Sequence, residues 1–164
     1  METYELGQTF EDTYPPDAAR WCNKNGAIIV ECEPQDGKRI FQIQEIPAPP
    51  LDEVKADKIA ELKNERNTRE EAPVEYGGKL WDFDSKARDR ITAAATALEI
   101  GGVESIEWTA HDDTSARMNV VDLKGIVAAA ALRGDELHKK YRELRDRANA
   151  AETAEEVNAV SWGD

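Results

Sequence analysis

The sequence predicts an α+β fold: a small N-terminal helix–hairpin module, a Pro-rich spacer, and then three helices interleaved with two β-hairpins. Three observations predict it. The dipeptides Asp36-Gly37 and Gly77-Gly78 each separate short runs rich in β-branched or aromatic residues, the pattern of two-residue hairpins. Residues 51–71, 86–100 and 122–151 are dense in Ala, Leu, Lys, Arg and Glu, and their apolar residues recur at helical spacing. Between the two kinds of composition stands Pro47-Ala48-Pro49-Pro50, which favours an extended, semi-rigid spacer. The predicted organisation is therefore 1–46, 47–50 and 51–164.

In the first module, residues 1–13 mix Tyr4, Leu6 and Phe10 with acids and read as a short strand or a docked arm. Tyr14-Pro15-Pro16-Asp17 starts a helix, because proline suits the first turn. Ala18, Ala19, Trp21 and Cys22 continue it, and Asn23, Asn25 and Gly26 end it. Residues 27–32 form a β-branched strand, and residues 39–46 its hairpin partner. Phe41, Ile43 and, after a slip, Ile46 are expected on one side. A module of about 45 residues is near the lower size for independent folding and is expected to lean on another chain or domain.

In the second part, residues 51–71 carry a thin stripe of Leu51, Val54, Lys58, Ile59, Leu62 and Arg66, which calls for packing along a narrow seam. Ala72-Pro73 stops this helix. Residues 74–84 form a hairpin weighted by Tyr76, Leu80 and Trp81. Asp84 or Ser85 caps the next helix, whose apolar face is Ala87, Ile91, Ala94, Ala95 and Leu98, and Gly101-Gly102 ends it. Residues 105–110 and 115–120 pair across a turn at His111-Asp112-Asp113-Thr114. Thr153 and Glu156 make a capping box for a last short helix, after which Val157, Val160 and Trp162 tuck the chain down.

The long helix at 122–151 admits two readings. Val127, Gly134, Tyr141 and Ala148 lie seven apart, as do Leu123, Ala130, Leu137 and Leu144. Such a repeat is compatible with a coiled-coil seam joining copies of the chain as a dimer or trimer, through Val127, Leu137, Tyr141 and Leu144. The alternative is an amphipathic helix covering its own sheet. Trp21, Trp81 and Trp108 join the candidate interaction residues, since aromatics at hairpins and helix faces serve as core or interface anchors. With Trp162 they could instead form a sugar-stacking platform.

Charge and motifs bound the chemistry. The chain has 164 residues, 34 acidic against 21 basic, for a net charge of −13. Such a surface repels nucleic acid. No apolar run approaches the length needed to insert in a membrane. Met1 is followed by Glu2 and Glu5, so no secretory signal is expected. Cys22 and Cys32 read as reduced thiols, with a bridge between them sterically conceivable. No Walker loop, nucleophile elbow, dinucleotide fingerprint or zincin motif occurs, and no cofactor is implied. His111-Asp112-Asp113 could present an imidazole and carboxylates to a metal, but turn chemistry explains it more simply. His138 reads as a solvated helix-surface residue. Asp82 and Asp84, flanking Phe83, would share one strand face by alternation, as a glycosidase pair requires; a hairpin end and a helix cap is the simpler reading.

The order of motifs in the second part carries a resemblance. "PVEYGGKLWDFDSKARDRI", "IEWTAHDD" and "LHKKYRELRDRANAAETAEEVNAVSW" resemble the domain of unknown function found in phage and prophage tail proteins, among them tail-fibre and tail-fibre-assembly proteins. The resemblance spans residues 51–162. "YPPDAARWCNKNGA" and "FQIQEIPAPP" resemble the short leader modules placed before that domain. The resemblance implies a non-enzymatic structural component of the tail, fibre or baseplate, acting by contact with a fibre or baseplate protein. It implies residence in the host cytoplasm during assembly and then in the virion tail. An assembly chaperone absent from the mature particle, and a glycan-acting or glycan-binding protein, are the alternatives.

Overall fold

The computed structural model describes residues 3–163; the ends of the predicted ranges at residues 1, 2 and 164 lie outside them. The chain is α+β and divides into two compact units, Met1–Pro49 and Pro50–Asp164.

The first unit is a three-stranded antiparallel sheet with one helix. Strand β1 (Thr9–Glu11) lies beside β3 (Lys38–Glu45), which pairs on its other side with β2 (Ala27–Gln35). The N-terminal segment is thus a strand, in register Phe10 to Phe41. Helix α1 (Pro16–Asn25) starts at Pro15 and stops at Gly26, whose φ of 65° is left-handed and favours glycine. Asp36 and Gly37 both take positive φ, as a two-residue hairpin requires. The side chains of Ala18 and Cys22 from α1 pack with Tyr4, Ala27 and Ile43. Across the face, Tyr14 meets the Phe41 ring edge-on at 5.2 Å, and Arg39 lies over that ring while its guanidinium takes Glu31. Ile46 departs from expectation. The strand ends at Glu45, and Ile46 is 56% exposed instead of joining Phe41 and Ile43. Even and odd positions of a strand point to opposite faces, so it would need a bulge to join them, and the register shift falls in β2 instead.

The second unit is organised by its longest helix. Helix α4 (Val120–Ala150) has 31 residues, about 46 Å at the usual rise. It begins at Asn119, whose side chain accepts from Val121 and Asp122 while Asp122 reaches back to the Asn119 N–H. Two clusters sit along it. Toward its N-terminal half pack helix α3 (Ser85–Gly101) and the hairpins β4 (Val74–Tyr76)/β5 (Lys79–Trp81) and β6 (Ile106–Thr109)/β7 (Ser115–Met118), burying Trp81, Ile91, Leu98, Leu123 and Ile126. Toward its C-terminal half pack helix α2 (Leu51–Glu71), helix α5 (Ala154–Ala159) and the chain end, burying Leu62, Leu144, Ala148, Val160 and Trp162. As the thin stripe predicts, Leu62 is the one fully buried residue of α2.

Candidate functional site

The heptad-like stripe of α4 faces inward. Leu144 is 4% exposed in the α2 cluster, Leu137 and Tyr141 pack against that cluster, and Val127 packs against the hairpin cluster. The repeat therefore packs within the unit, as the reading of an amphipathic helix has it, with Val127, Leu137 and Tyr141 partly buried against those clusters. The tryptophans follow the same logic. Trp81 is 2% exposed and donates its indole N–H to the Tyr76 carbonyl. Trp162 donates to the Leu62 carbonyl, with Arg69 and Lys140 over its ring. Trp108, half-buried, packs on the hairpin cluster under Arg90, and Trp21 packs on the core of the first unit.

The residues singled out for chemistry are separated by the fold. Strand β5 ends at Trp81, so Asp82 and Asp84 do not share a strand face. Asp84 accepts the Ala87 N–H as the cap of α3. Asp82 Oδ1 lies 2.5 Å from Nδ1 of His111, and the His111 N–H donates to the Leu80 carbonyl, so these groups tie the two hairpins together. Asp112 accepts from the Thr114 backbone and hydroxyl, bonds that hold its carboxyl below the usual carboxylate range. His138 is not merely solvated: its Nε2 sits 2.9 Å from Glu70 of α2. Cys22 and Cys32 are both free thiols. Cys22 faces the helix-covered side of the sheet, whereas Cys32, paired with Ile40, points to the other side. Burial pushes the Cys22 thiol up from its ordinary value.

Surface apolar groups, which sequence spacing had not singled out, lie on the outer faces of α3 and α4. Ile100 is 83% exposed, Leu132 71% and Val121 68%. Val121, Ala128 and Leu132, seven and four apart, share one stripe of α4, and Ala93, Ala97 and Ile100 share one of α3. An ion pair between Glu99 and Lys124 joins the two helices beside these stripes. The signal was available in the sequence, but it was masked by the stronger inward repeat on the same helix.

A cleft of about 440 Å³ opens among α2, α3 and α4. Phe83, Val127, Ala130 and Gly134 form its apolar floor; Glu70 and Glu71 on α2 and Arg88 on α3 stand at its walls. Beside it the Arg133 guanidinium donates to the carbonyls of Glu70, Ala72 and Pro73, each at 2.8 Å, closing the C-terminal end of α2. Burial pushes Arg133 below its ordinary value, and Glu70 works against that shift. Among the described residues no helix is long and apolar enough to cross a membrane, and no group of three or more His, Cys, Asp or Glu could hold a metal.

The second unit is thus a helix-rich α+β domain whose polar residues at the hairpins and caps are engaged in structure. Residues 53–161 match a domain of unknown function, DUF4376, and the chain belongs to that family. No curated protein and no solved structure matches the chain.

Proposed function

We propose that the protein is a non-enzymatic, phage tail-fibre-associated structural protein that works by protein–protein contact. The motif resemblance in residues 51–162 supports the tail assignment. The observation that carries the contact mechanism is the exposed apolar pair of stripes on α3 and α4, headed by Ile100, Val121 and Leu132, on a chain of net charge −13. Exposed apolar side chains on neighbouring helices offer surface to a partner, and charge elsewhere prevents indiscriminate association. The test is co-purification with the fibre or baseplate protein encoded beside it, read by light-scattering mass. A stoichiometric complex is expected, and Ile100→Lys with Leu132→Lys should abolish it while leaving the circular dichroism spectrum unchanged. No complex with any neighbouring tail protein would overturn the reading. Detection in purified particles distinguishes a tail component from an assembly chaperone that leaves.

A further inference from the structure

The two edges of the first unit's sheet differ. Strand β1, at one edge, has three residues, and Asp12, with a φ of 59°, turns the chain away after it. Strand β2, at the other edge, has nine. The alternation of the ladder says which of its backbone groups are free. Ile43 of β3 gives its N–H to Gln8 and accepts from Gly7, on the β1 side. Its neighbours Gln42 and Gln44 therefore face β2, where they oppose Val30 and Ile28. The N–H and C=O groups of Ile29 and Glu31 are left pointing outward, and among the described residues they have no hydrogen-bond partner. Edge strands are usually protected by brevity, lysine, proline or a bulge. In β2 the bulge and Pro34 come only after Cys32, so residues 28–32 are a bare edge.

We propose that this edge pairs antiparallel with β2 of a second copy of the chain, about a two-fold axis at Val30, so that two three-stranded sheets become one. An axis perpendicular to the sheet keeps α1 of both copies on the same face. The register follows from the side chains. With Val30 opposite Val30, Ile29 meets Glu31 through the outward groups of both copies. Ile28 then meets Cys32, and the faces not covered by α1 join in a strip of Ile28, Val30 and Cys32. An axis at Glu31 sets the two Glu31 side chains against each other, and one at Cys32 sets Glu31 against Glu33. An axis at Ile29 sets Cys32 against Gly26, outside the strand. The acid that stays at the junction is already countered: both Glu31 oxygens take the Arg39 guanidinium at 2.8 Å. Size points the same way. The unit spans Met1–Pro49 and its buried cluster is only Tyr4, Ala18, Cys22, Ala27 and Ile43, so it gains most from a sheet extended by a copy of itself. This interface lies in the first unit and goes beyond the proposed function, whose contact residues are on α3 and α4.

The test is the light-scattering mass of the whole chain over a range of concentrations. A mass of twice 18.3 kDa is expected. Val30→Lys sets two ammonium groups face to face at the axis and should return the mass to that of one chain, with the circular dichroism spectrum unchanged. Glu31→Pro removes an outward N–H without touching the ladder to β3; it should do the same and serves if the lysine variant does not fold. Oxidation reads the register. Val30→Cys in a Cys32→Ser background should form a disulfide between copies, because Cα atoms of a non-hydrogen-bonded antiparallel pair lie about 4.5 Å apart. Cys32 of the unaltered chain should not. A single-chain mass at every concentration, a dimer that survives in both variants, or a disulfide at Cys32 with none in the Val30→Cys chain would overturn the proposal. So would a single chain that binds a neighbouring tail protein and loses it with Glu31→Pro, which gives the edge to that protein's strand. Neither variant touches Ile100 or Leu132. Absence of the dimer with the tail complex intact removes this interface alone, and the converse removes the tail-contact reading alone.

Discussion

The two ends of α4 are packed by different means. Its N-terminal half is covered by aliphatic and aromatic side chains from α3 and the two hairpins, with Leu123 and Ile126 fully buried. From its middle to its C-terminal end it meets α2 through few apolar residues and several charged ones. Arg66 lies over the Tyr141 ring at 4.9 Å, His138 takes Glu70, and Arg133 closes the end of α2. One helix therefore holds its hairpin side by removing apolar area from water and its α2 side by long side chains whose stems pack while their heads find carbonyls, carboxylates and rings. The first mode is visible as periodicity. The second is not, because the same residues count as polar in any hydropathy pattern.

The comparison can be broken most forcefully at the hairpin end. Ile126→Ala removes a fully buried side chain from the larger cluster and should cost about 2–5 kcal/mol in chemical denaturation. A loss well below that would mean the hairpin side is loosely packed. Next in size is Gly125→Ala. The added methyl falls on the Tyr76 ring, so destabilisation of about 1–3 kcal/mol is expected from overpacking. In a Tyr76→Leu background the same change should cost much less, and additive costs would show that the ring is not what excludes a side chain.

How much of this was legible follows from the same division. The hairpin turns at Asp36-Gly37 and Gly77-Gly78, the helix stops at Gly26 and Gly102, and the Thr153–Glu156 cap are local chemistry, and the structure has each where the sequence put it. The inward stripe of α4 was legible as a stripe, but periodicity alone could not say whether its partner was this chain or another copy. Partnership is a tertiary fact: Leu137 and Tyr141 meet α2, some seventy residues earlier, through a helix whose own apolar pattern is thin. Three residues carry too little alternation to fix a strand, so the sequence supports a strand or a docked arm at β1 equally, and its pairing with β3 is a tertiary fact. A shared face for Asp82 and Asp84 requires the strand to run past Trp81; it ends there, and the Asp84 cap, the simpler of the two readings, begins the next helix. The cleft and the Arg133 clasp depend on three helices meeting, and nothing local announces them.

At the α2 end the expected effects are smaller and split by what each cation does. Arg133→Met keeps most of the apolar stem but leaves the carbonyls of Glu70, Ala72 and Pro73 without their donor. Stranding partly buried carbonyls should cost about 1–3 kcal/mol, and amide exchange near the end of α2 should quicken more than elsewhere. Uniform quickening across α4 would mean that Arg133 supports the whole helix pair instead of clasping one terminus.

Arg66→Met is the finest test. Its Nε is buried without a partner, Glu70 is 3.8 Å away, and the guanidinium lies over Tyr141. Methionine retains the stem, keeps a favourable contact with the ring, and removes an unsatisfied donor. The gains and losses are of similar size, so stability should change by less than about 1 kcal/mol in either direction. A large loss would show that the Arg66 charge itself holds the two helices together. A negligible one, set beside a clear loss for Arg133→Met, would show that charged residues of the α2 seam divide into stems that pack and heads that cap, two jobs that identical residue types hide in the sequence.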